Sequence, residues 1–554
     1  MVVTGRQRKG RGVNSEIWEL IASGTGKATP ARLPLDRRQF LRSSVLTAVT
    51  VAVLGRSTAV LAAGGGVAFG FPALREKAMT LAKHPYSPPR PPIPAVTGIR
   101  FDDLQKINFR AEHALWKNTP KAFPVRFFHL HKYAPTPVRM NVVRNGVAYP
   151  IAYDKATFNY EDPELATKLP ADLGFAGFRV MNDGKANSDW LSFQGASYFR
   201  ASGEQDQYGI SARGIALNTA TETKEEFPSF TEFWLEDGTA NGPLINIFAL
   251  LEGPSVTGAY KFVASREHGA TIDVHAELFV RNDVPRLGVA PLTSMYWFGE
   301  NQRRLAADWR PEIHDSDGLA MWTGKGERIF RPLVNPPSLQ INSFVDDNPK
   351  GFGLVQRDRT FANYQDDSAF YERRPSVWVE PKGGWGPGTV QLVEIPTDDE
   401  IHDNIVAFWQ PRAPLAKGDT FAVDYRLHWR NRQPYPPDNV AQVVATRTGR
   451  GGIPGQPRPT DNKARKFVID FEGGPLADLE PRYDLTPVVT TSRGKVLNGY
   501  VVKIVGTERW RAVFDVEFGG GGPLDLRCFV RLGDRTLTET WLYQYFPPSE
   551  SGRG

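Results

Sequence analysis

The sequence has a single cysteine, Cys528, among 554 residues. That excludes an intramolecular disulfide framework and any zinc or iron–sulfur centre built from several thiolates. It does not exclude export. No Gly-rich P-loop, no dinucleotide fingerprint after a strand and no Gly-x-Ser-x-Gly elbow occurs in the chain, which removes the common nucleotide-binding and serine-hydrolase readings. There is no internal repeat. After Gly66 no apolar run approaches the ~20 residues a helix needs to cross a bilayer, so no stable membrane span is expected in the mature protein. Strong net charge is missing as well. Lys+Arg 67 against Asp+Glu 61 leaves +6, but residues 1–63 carry ten basic and only three acidic side chains. The remainder is close to neutral, which gives no case for a nucleic-acid partner.

What is present is a globular composition, 41% hydrophobic and 23% charged, at a length that predicts two or more domains. Gly 52, Pro 44 and 11% aromatics favour a β-rich fold with many turns. In Thr271–Val280 the residues Ile272, Val274, Ala276, Leu278 and Val280 alternate with Asp273, His275, Glu277 and Phe279. Phe421–Trp429 alternates through Val423, Tyr425 and Leu427. A period of two over such lengths predicts half-buried strands, separated by turns such as Asn145-Gly146, Asn182-Asp183-Gly184 and Asp317-Gly318. Short helices are expected at Ala73–Lys83 and within Phe101–Lys117. Residues 431–462 are rich in Pro and Gly and read as a linker. Residues 463–548 hold several short strand patterns (Phe467–Phe471, Tyr500–Val505, Trp510–Phe518, Leu526–Leu532, Thr538–Tyr545), which suits a small immunoglobulin-like β-sandwich. Residues 64–430 are then a large β domain.

The leader, residues 1–63, reads as an address. Asp36-Arg37-Arg38-Gln39-Phe40-Leu41-Arg42 precedes an uncharged apolar run from Ser43 to Leu54 and small residues around Ala59 to Gly66. This resembles a twin-arginine (Tat) signal with cleavage near Ala62 or Ala63. A folded periplasmic protein and the Tat export machinery as partner follow from it.

Several motifs carry chemistry or mimic it. His129 and His131, two apart on a predicted strand, have metal-ligand spacing but no supporting cluster, so hydrogen-bonded histidines are the better reading. Asp315-Ser316-Asp317-Gly318 opens like a calcium loop, yet Leu319 stands at the fifth position, and a tight turn fits better. No metal and no cofactor is expected. Around that turn lie Tyr296-Trp297-Phe298, Trp309 and Trp322. A second acid-and-aromatic region runs from Tyr371-Glu372-Arg373-Arg374 through Trp378, Glu380 and Trp385 to Glu400-Ile401-His402-Asp403-Asn404 and Trp409. Sugar rings pack on aromatic faces while carboxylates and Arg bind hydroxyls, so the pattern points to a sugar groove. Paired carboxyls there suit glycoside chemistry.

The runs Trp190-Leu191-Ser192-Phe193-Gln194-Gly195-Ala196-Ser197-Tyr198-Phe199-Arg200-Ala201, Ser211-Ala212-Arg213-Gly214, Glu226-Phe227-Pro228, Thr231-Glu232-Phe233-Trp234, His314-Asp315-Ser316-Asp317-Gly318 and Asp403-Asn404-Ile405-Val406-Ala407-Phe408-Trp409 resemble the periplasmic glucan biosynthesis proteins OpgG/OpgD (MdoG/MdoD). The resemblance spans about Phe101 to Phe546, and the Tat-type leader favours the OpgD branch. It implies an all-β chain: a large galactose-mutarotase-like β-sandwich followed by an immunoglobulin-like one. It also implies action on β-1,2-glucan polysaccharide, as in glycoside hydrolase family 186 with its anomer-inverting endo-β-1,2-glucanases, or transglycosylation to cyclic glucan. Carried over by motif, Asp403 is the general acid and Asp315 the base end, with Asp317 a rival in the same turn. Tyr371 and Glu400 stand as relay or orienting groups. Glu400 is the expected negative neighbour that keeps Asp403 protonated. Trp297, Trp322, Arg374, Trp385 and Asp317 are candidate glucan contacts. A non-catalytic glucan-binding or assembly protein is the rival reading, and oligomeric state, a homodimer included, stays open.

Overall fold

The computed structural model describes residues 65–547 except 183–187, 239–241, 435–438, 454, 457–463 and 520. The segment read as a Tat-type leader, the Asp183-Gly184 half of one predicted turn and parts of the Pro/Gly-rich stretch lie outside the described residues. The rest is all-β: two large sheets face each other, and a smaller one belongs to the C-terminal part.

The core forms where the alternating sequences meet. Ala270–Val280 pairs with Thr420–Arg430, so that Ile272 opposes Leu427 and Val274 opposes Tyr425. All four are buried, while Asp273 and Arg426 on the other face join as an ion pair at 2.6 Å. Period-two patterning thus puts apolar residues on one face and a cross-strand charge pair on the other. The opposite sheet contributes Phe178, Phe193, Phe199 and Leu292 to the same core. Phe178, Phe193 and Phe199 stack in succession at ring separations of 5.1 and 5.0 Å.

The first helix, Phe71–Ala82, begins with Pro72 in its first turn, a position where the missing N–H costs nothing. It buries Leu74 and Ala78 against Trp234, Phe248 and Phe279 on the outer face of the larger sheet. Arg75 and Lys77 anchor it to Glu277 and Glu232 at 2.6 and 2.5 Å. The second expected helix is cut short. The α-helix spans only Phe101–Leu104 and is followed by the strand Ile107–Phe109, paired with Phe158–Tyr160, and by one 3-10 turn at Ala111–His113. Ile107 and Phe109 are buried on either side of exposed Asn108, so packing imposes a period of two there.

The stretch read as linker is corrected in its middle. Gln442–Arg450 is a strand pairing with Ala464–Glu472 throughout the small sheet. Val443 and Ala445 are buried, and these alternating residues outweigh the flanking prolines and glycines. The C-terminal sandwich is also joined to the large domain. Arg328–Pro332 pairs in parallel with Thr540–Tyr545 through Ile329 and Phe330, so one sheet of 16 strands among the described residues runs through both. Phe330, Val355 and Trp378 share a core cluster with Phe467, Trp510 and Trp541.

A buried charge pair crosses the same junction. Arg357 donates to both carboxylate oxygens of Glu539 at 2.7 and 3.0 Å, and Glu539 also accepts from the Val443 amide at 3.0 Å. Removing one partner of a buried pair leaves the other charge uncompensated. Glu539→Gln is therefore expected to lower unfolding free energy by about 3–5 kcal/mol. Urea denaturation checks this, and a loss below about 1 kcal/mol, the range of an exposed pair, would show that water already screens the junction.

Candidate functional site

The site forms where connections from the two large sheets converge. Gly318 opposes Val355 and Leu354 opposes Val377 in one sheet, which brings Ser316, Gln356 and Ser376 to a common end. In the other, Ser294 opposes Ile405 and Ser211 opposes Thr293. A buried hydrogen bond between the Ser294 and Ser316 hydroxyls, 2.7 Å long, ties the two ends together. Asp315, Arg374 and Asp403 each stand just before a strand, so the sheets hold loop side chains on rigid supports. Gly318 has to lack a side chain, because a Cβ there would come within 2.3 Å of the Phe330 ring.

Asp315 is 1% exposed and receives the Arg374 guanidinium on Oδ1, while its Oδ2 is buried with no hydrogen-bond partner. Burial raises its carboxyl above the ordinary range, and the adjacent Arg374 cation opposes that rise. Arg374 also lies over the Tyr371 ring at 4.2 Å. The Tyr371 hydroxyl donates to Glu400 Oε2 at 2.5 Å, and Arg310 donates to the same oxygen at 2.9 Å. Burial holds the Tyr371 phenol protonated, well above its ordinary value. Arg310 is fixed in turn by Asp308 at 2.9 Å and Asp366 at 2.6 Å.

Asp403 is also buried, and burial together with the Asp315 charge pushes its carboxyl up to about 7. The negative neighbour that raises it is thus Asp315 rather than Glu400, whose charge acts on Asp315. Arg213, Arg200 and Arg374 act in the opposite direction. Asp403 lies on a cavity of about 310 Å³ shared with His129, His131, Gln194, Tyr198 and Arg200. His129 bonds Tyr160 at 3.0 Å and His131 bonds Gln194 at 3.2 Å. They follow the strand Val125–Phe128 rather than lying on it, and burial lowers His131 to about 4, so it is neutral there.

The other sequence candidates separate. Asp317 turns away from Asp315: its Oδ2 accepts from the Arg357 and Asp358 amides at 2.7 and 2.9 Å, which makes it a brace of the turn. Trp297 packs beside Met295, Phe298 and Tyr371 at the site. Trp322 sits at the far end of Gly318–Trp322, under Arg328 and Lys350 at 5.4 and 5.0 Å. Trp385 donates to the Asp424 carbonyl at 3.2 Å and packs on Trp409 and Tyr425. Arg213, Tyr198, Arg200 and Arg310 were not singled out from sequence. Arg213 is buried, paired with Glu225 at 2.9 Å and stacked over Tyr198 at 4.9 Å. The Tyr198 hydroxyl is buried without a partner. Tyr198, Arg200 and Arg213 do lie inside quoted motif runs, but an isolated Arg or Tyr on a strand gives no sign of what it faces.

Fold and site define an all-β protein with facing sheets, an aromatic-lined cavity that carries Arg179, Arg200 and Asp403, and a second buried carboxyl, Asp315, that acts on Asp403. Residues 69–545 match the family described as "Periplasmic glucan biosynthesis protein, MdoG", and the chain belongs to that family. It is 49% identical over 532 residues to "Glucans biosynthesis protein D 2" of Ralstonia nicotianae, covering 93% of this chain and 98% of the relative. It is 46% identical over 527 residues to "Glucans biosynthesis protein D" of Stenotrophomonas maltophilia, covering 93% and 98%. The protein of that name from Xanthomonas campestris pv. campestris is 44% identical over 533 residues, covering 94% and 99%.

The raised carboxyl has a thermodynamic signature. A folded-state value of about 7 against an ordinary 3.8 means that the folded protein binds the Asp403 proton more tightly than the unfolded chain. This contribution costs nothing below the ordinary value, and stability is lost as pH rises from there through about 7. Asp403→Asn is expected to become progressively more stable than wild type across that window. Thermal melts at acid and mildly alkaline pH check it, and a difference independent of pH would contradict the assignment.

Proposed function

We propose that this protein is a periplasmic, Tat-exported, anomer-inverting endo-β-1,2-glucanase acting on linear glucan. The observation that carries the reading is the electrostatic division of two buried carboxyls. Asp403 is raised to about 7, while Asp315 is held by Arg374. A general acid has to keep its proton near neutral pH and a base has to remain ionised, so environments that differ in this way suit the two roles.

In this reading Asp403 protonates the departing glycosidic oxygen. The free Oδ2 of Asp315 accepts the proton that leaves the attacking water, through a relay that includes a substrate hydroxyl. Tyr371, held on Glu400 and under Arg374, orients that relay. Each cleavage consumes one water and leaves Asp403 ionised and Asp315 protonated, and proton exchange with solvent then resets both carboxyls. His131, Gln194, Tyr198 and Arg200 supply hydrogen-bonding groups for sugar hydroxyls along the cavity. In transglycosylation a glucan hydroxyl takes the place of water at the same position, and no separate observation favours it.

The test is purified mature protein with linear β-1,2-glucan, beside Asp403→Asn. General acid–base catalysis contributes about a hundred- to ten-thousand-fold, so the variant is expected to lose kcat by that factor while still binding glucan. Chromatography should show short reducing oligosaccharides from wild type, and polarimetry should show inversion. Non-reducing rings would replace hydrolysis by transglycosylation. Bound but unchanged glucan would leave a binding protein.

A further inference from the structure

A second and larger cavity, of about 1140 Å³, opens between Glu300–Leu305 of the large domain and the C-terminal sandwich. Its charged lining is four arginines, Arg303, Arg304, Arg447 and Arg465, against two carboxylates, Glu300 and Asp398. These charges are not equally available. Glu300 is engaged by Arg447 at 2.9 Å and by the Thr446 amide. Arg447 is further held by Asp470 at 2.7 Å. Asp398 is exposed on the rim, as are Arg303 and Arg304.

Arg465 is different. It is 8% exposed, and its guanidinium bonds only the Thr448 hydroxyl, at 2.9 Å, leaving Nε buried without a partner. No carboxylate pairs with it among the described residues. The charged groups that act on it include two further cations, Arg304 and Arg450. Beneath it lies the Tyr545 ring at 5.5 Å. A buried cation without a counter-charge is costly, and here two like charges add to the cost. An oxyanion entering the cavity would offset Arg304 and Arg465, which both line it, since the planar guanidinium fork matches a carboxylate or phosphate in two-point contact. Tyr545, Phe546 and Pro547 line the same cavity and give an apolar wall for the body that carries the anion.

We propose that this cavity is an anion-binding site for a small organic molecule bearing a phosphate or carboxylate group, held between Arg304 and Arg465 with its body against Tyr545. The site is separate from the Asp403 cavity, so the proposal stands whatever reaction that cavity performs. Calorimetry on the purified mature protein tests it, with inorganic phosphate, glucose 6-phosphate, glucuronate and neutral glucose as probes. Binding of the charged probes and not of glucose is expected, weakening with salt. Loss of one charge-assisted contact is expected to cost about tenfold in affinity or more in Arg465→Gln. Arg304→Gln, at an exposed position that the fold does not need, is expected to weaken binding in the same direction. Equal affinity for phosphate and glucose 6-phosphate would identify the bare oxyanion as the ligand. Tighter binding of glucose 6-phosphate would identify an anion carried on a sugar. The proposal is overturned if no charged probe binds at millimolar concentration, if glucose binds equally well, or if Arg304→Gln leaves affinity unchanged.

Discussion

Arg374 makes its ion pair with an Asp315 that is only 1% exposed and closed to bulk water. Desolvation alone would drive Asp315 to its neutral form, and the adjacent cation opposes that. The Asp315 charge in turn raises Asp403, which shares no salt bridge with a cation among the described residues. One guanidinium thus treats the two acids differently: it opposes the rise most directly at Asp315, its ion-pair partner, and leaves Asp403 raised to about 7. The same guanidinium covers the Tyr371 ring, so the group that divides the carboxyls also positions the phenol that reaches Glu400.

This arrangement depends on where the sheets stop. Asp315, Arg374 and Asp403 come from three segments separated by roughly sixty and thirty residues of sequence, and only strand register brings them together. The Ser294–Ser316 bond and the close packing of Phe330 on Gly318 remove the slack that a loop would otherwise keep. Preorganisation of this kind lets a carboxyl keep a displaced pKa, because a mobile loop would relax toward solvent and restore the ordinary value.

The sequence made the strongly periodic parts of this structure legible. Ala270–Val280 and Thr420–Arg430 follow their alternation, and the first helix lies where its apolar spacing predicts. Failures occurred where tertiary packing overrode composition. Gln442–Arg450 is surrounded by turn-forming residues yet completes a sheet, and the short helix expected within Phe101–Lys117 forms at Phe101–Leu104 but gives way to the strand Ile107–Phe109. At the site, the carboxyls, Tyr371 and Arg374 were accessible through motif resemblance. Asp317 and Asp315 were not distinguishable, because two residues in one turn diverge only through partners distant in sequence, the Arg357 and Asp358 amides for one and Arg374 for the other. Trp322 and Trp385, read as candidate glucan contacts, have contacts within the protein, Trp322 under Lys350 and Trp385 on the Asp424 carbonyl, because a tryptophan beside charges looks the same in sequence whether it stacks on a ligand or on its own lysine.

Those same contacts assign work to the C-terminal sandwich. Asp317 holds the backbone amide of Arg357, and the Arg357 side chain is held by Glu539 and by the Val443 carbonyl. The turn that carries Asp315 is therefore braced, through one arginine, against the second sandwich. On the other side, Pro396, Thr397 and Asp398 wall the interdomain cavity, while Glu400 and Asp403 follow within the same loop. Asn335 clamps the start of that loop through Thr397 at 2.7 and 3.1 Å. Both carboxyl-bearing segments are thus anchored next to the junction between the sandwiches. Because a single sheet and a common core cross that junction, the small sandwich acts as part of the support that keeps the two carboxyls in register.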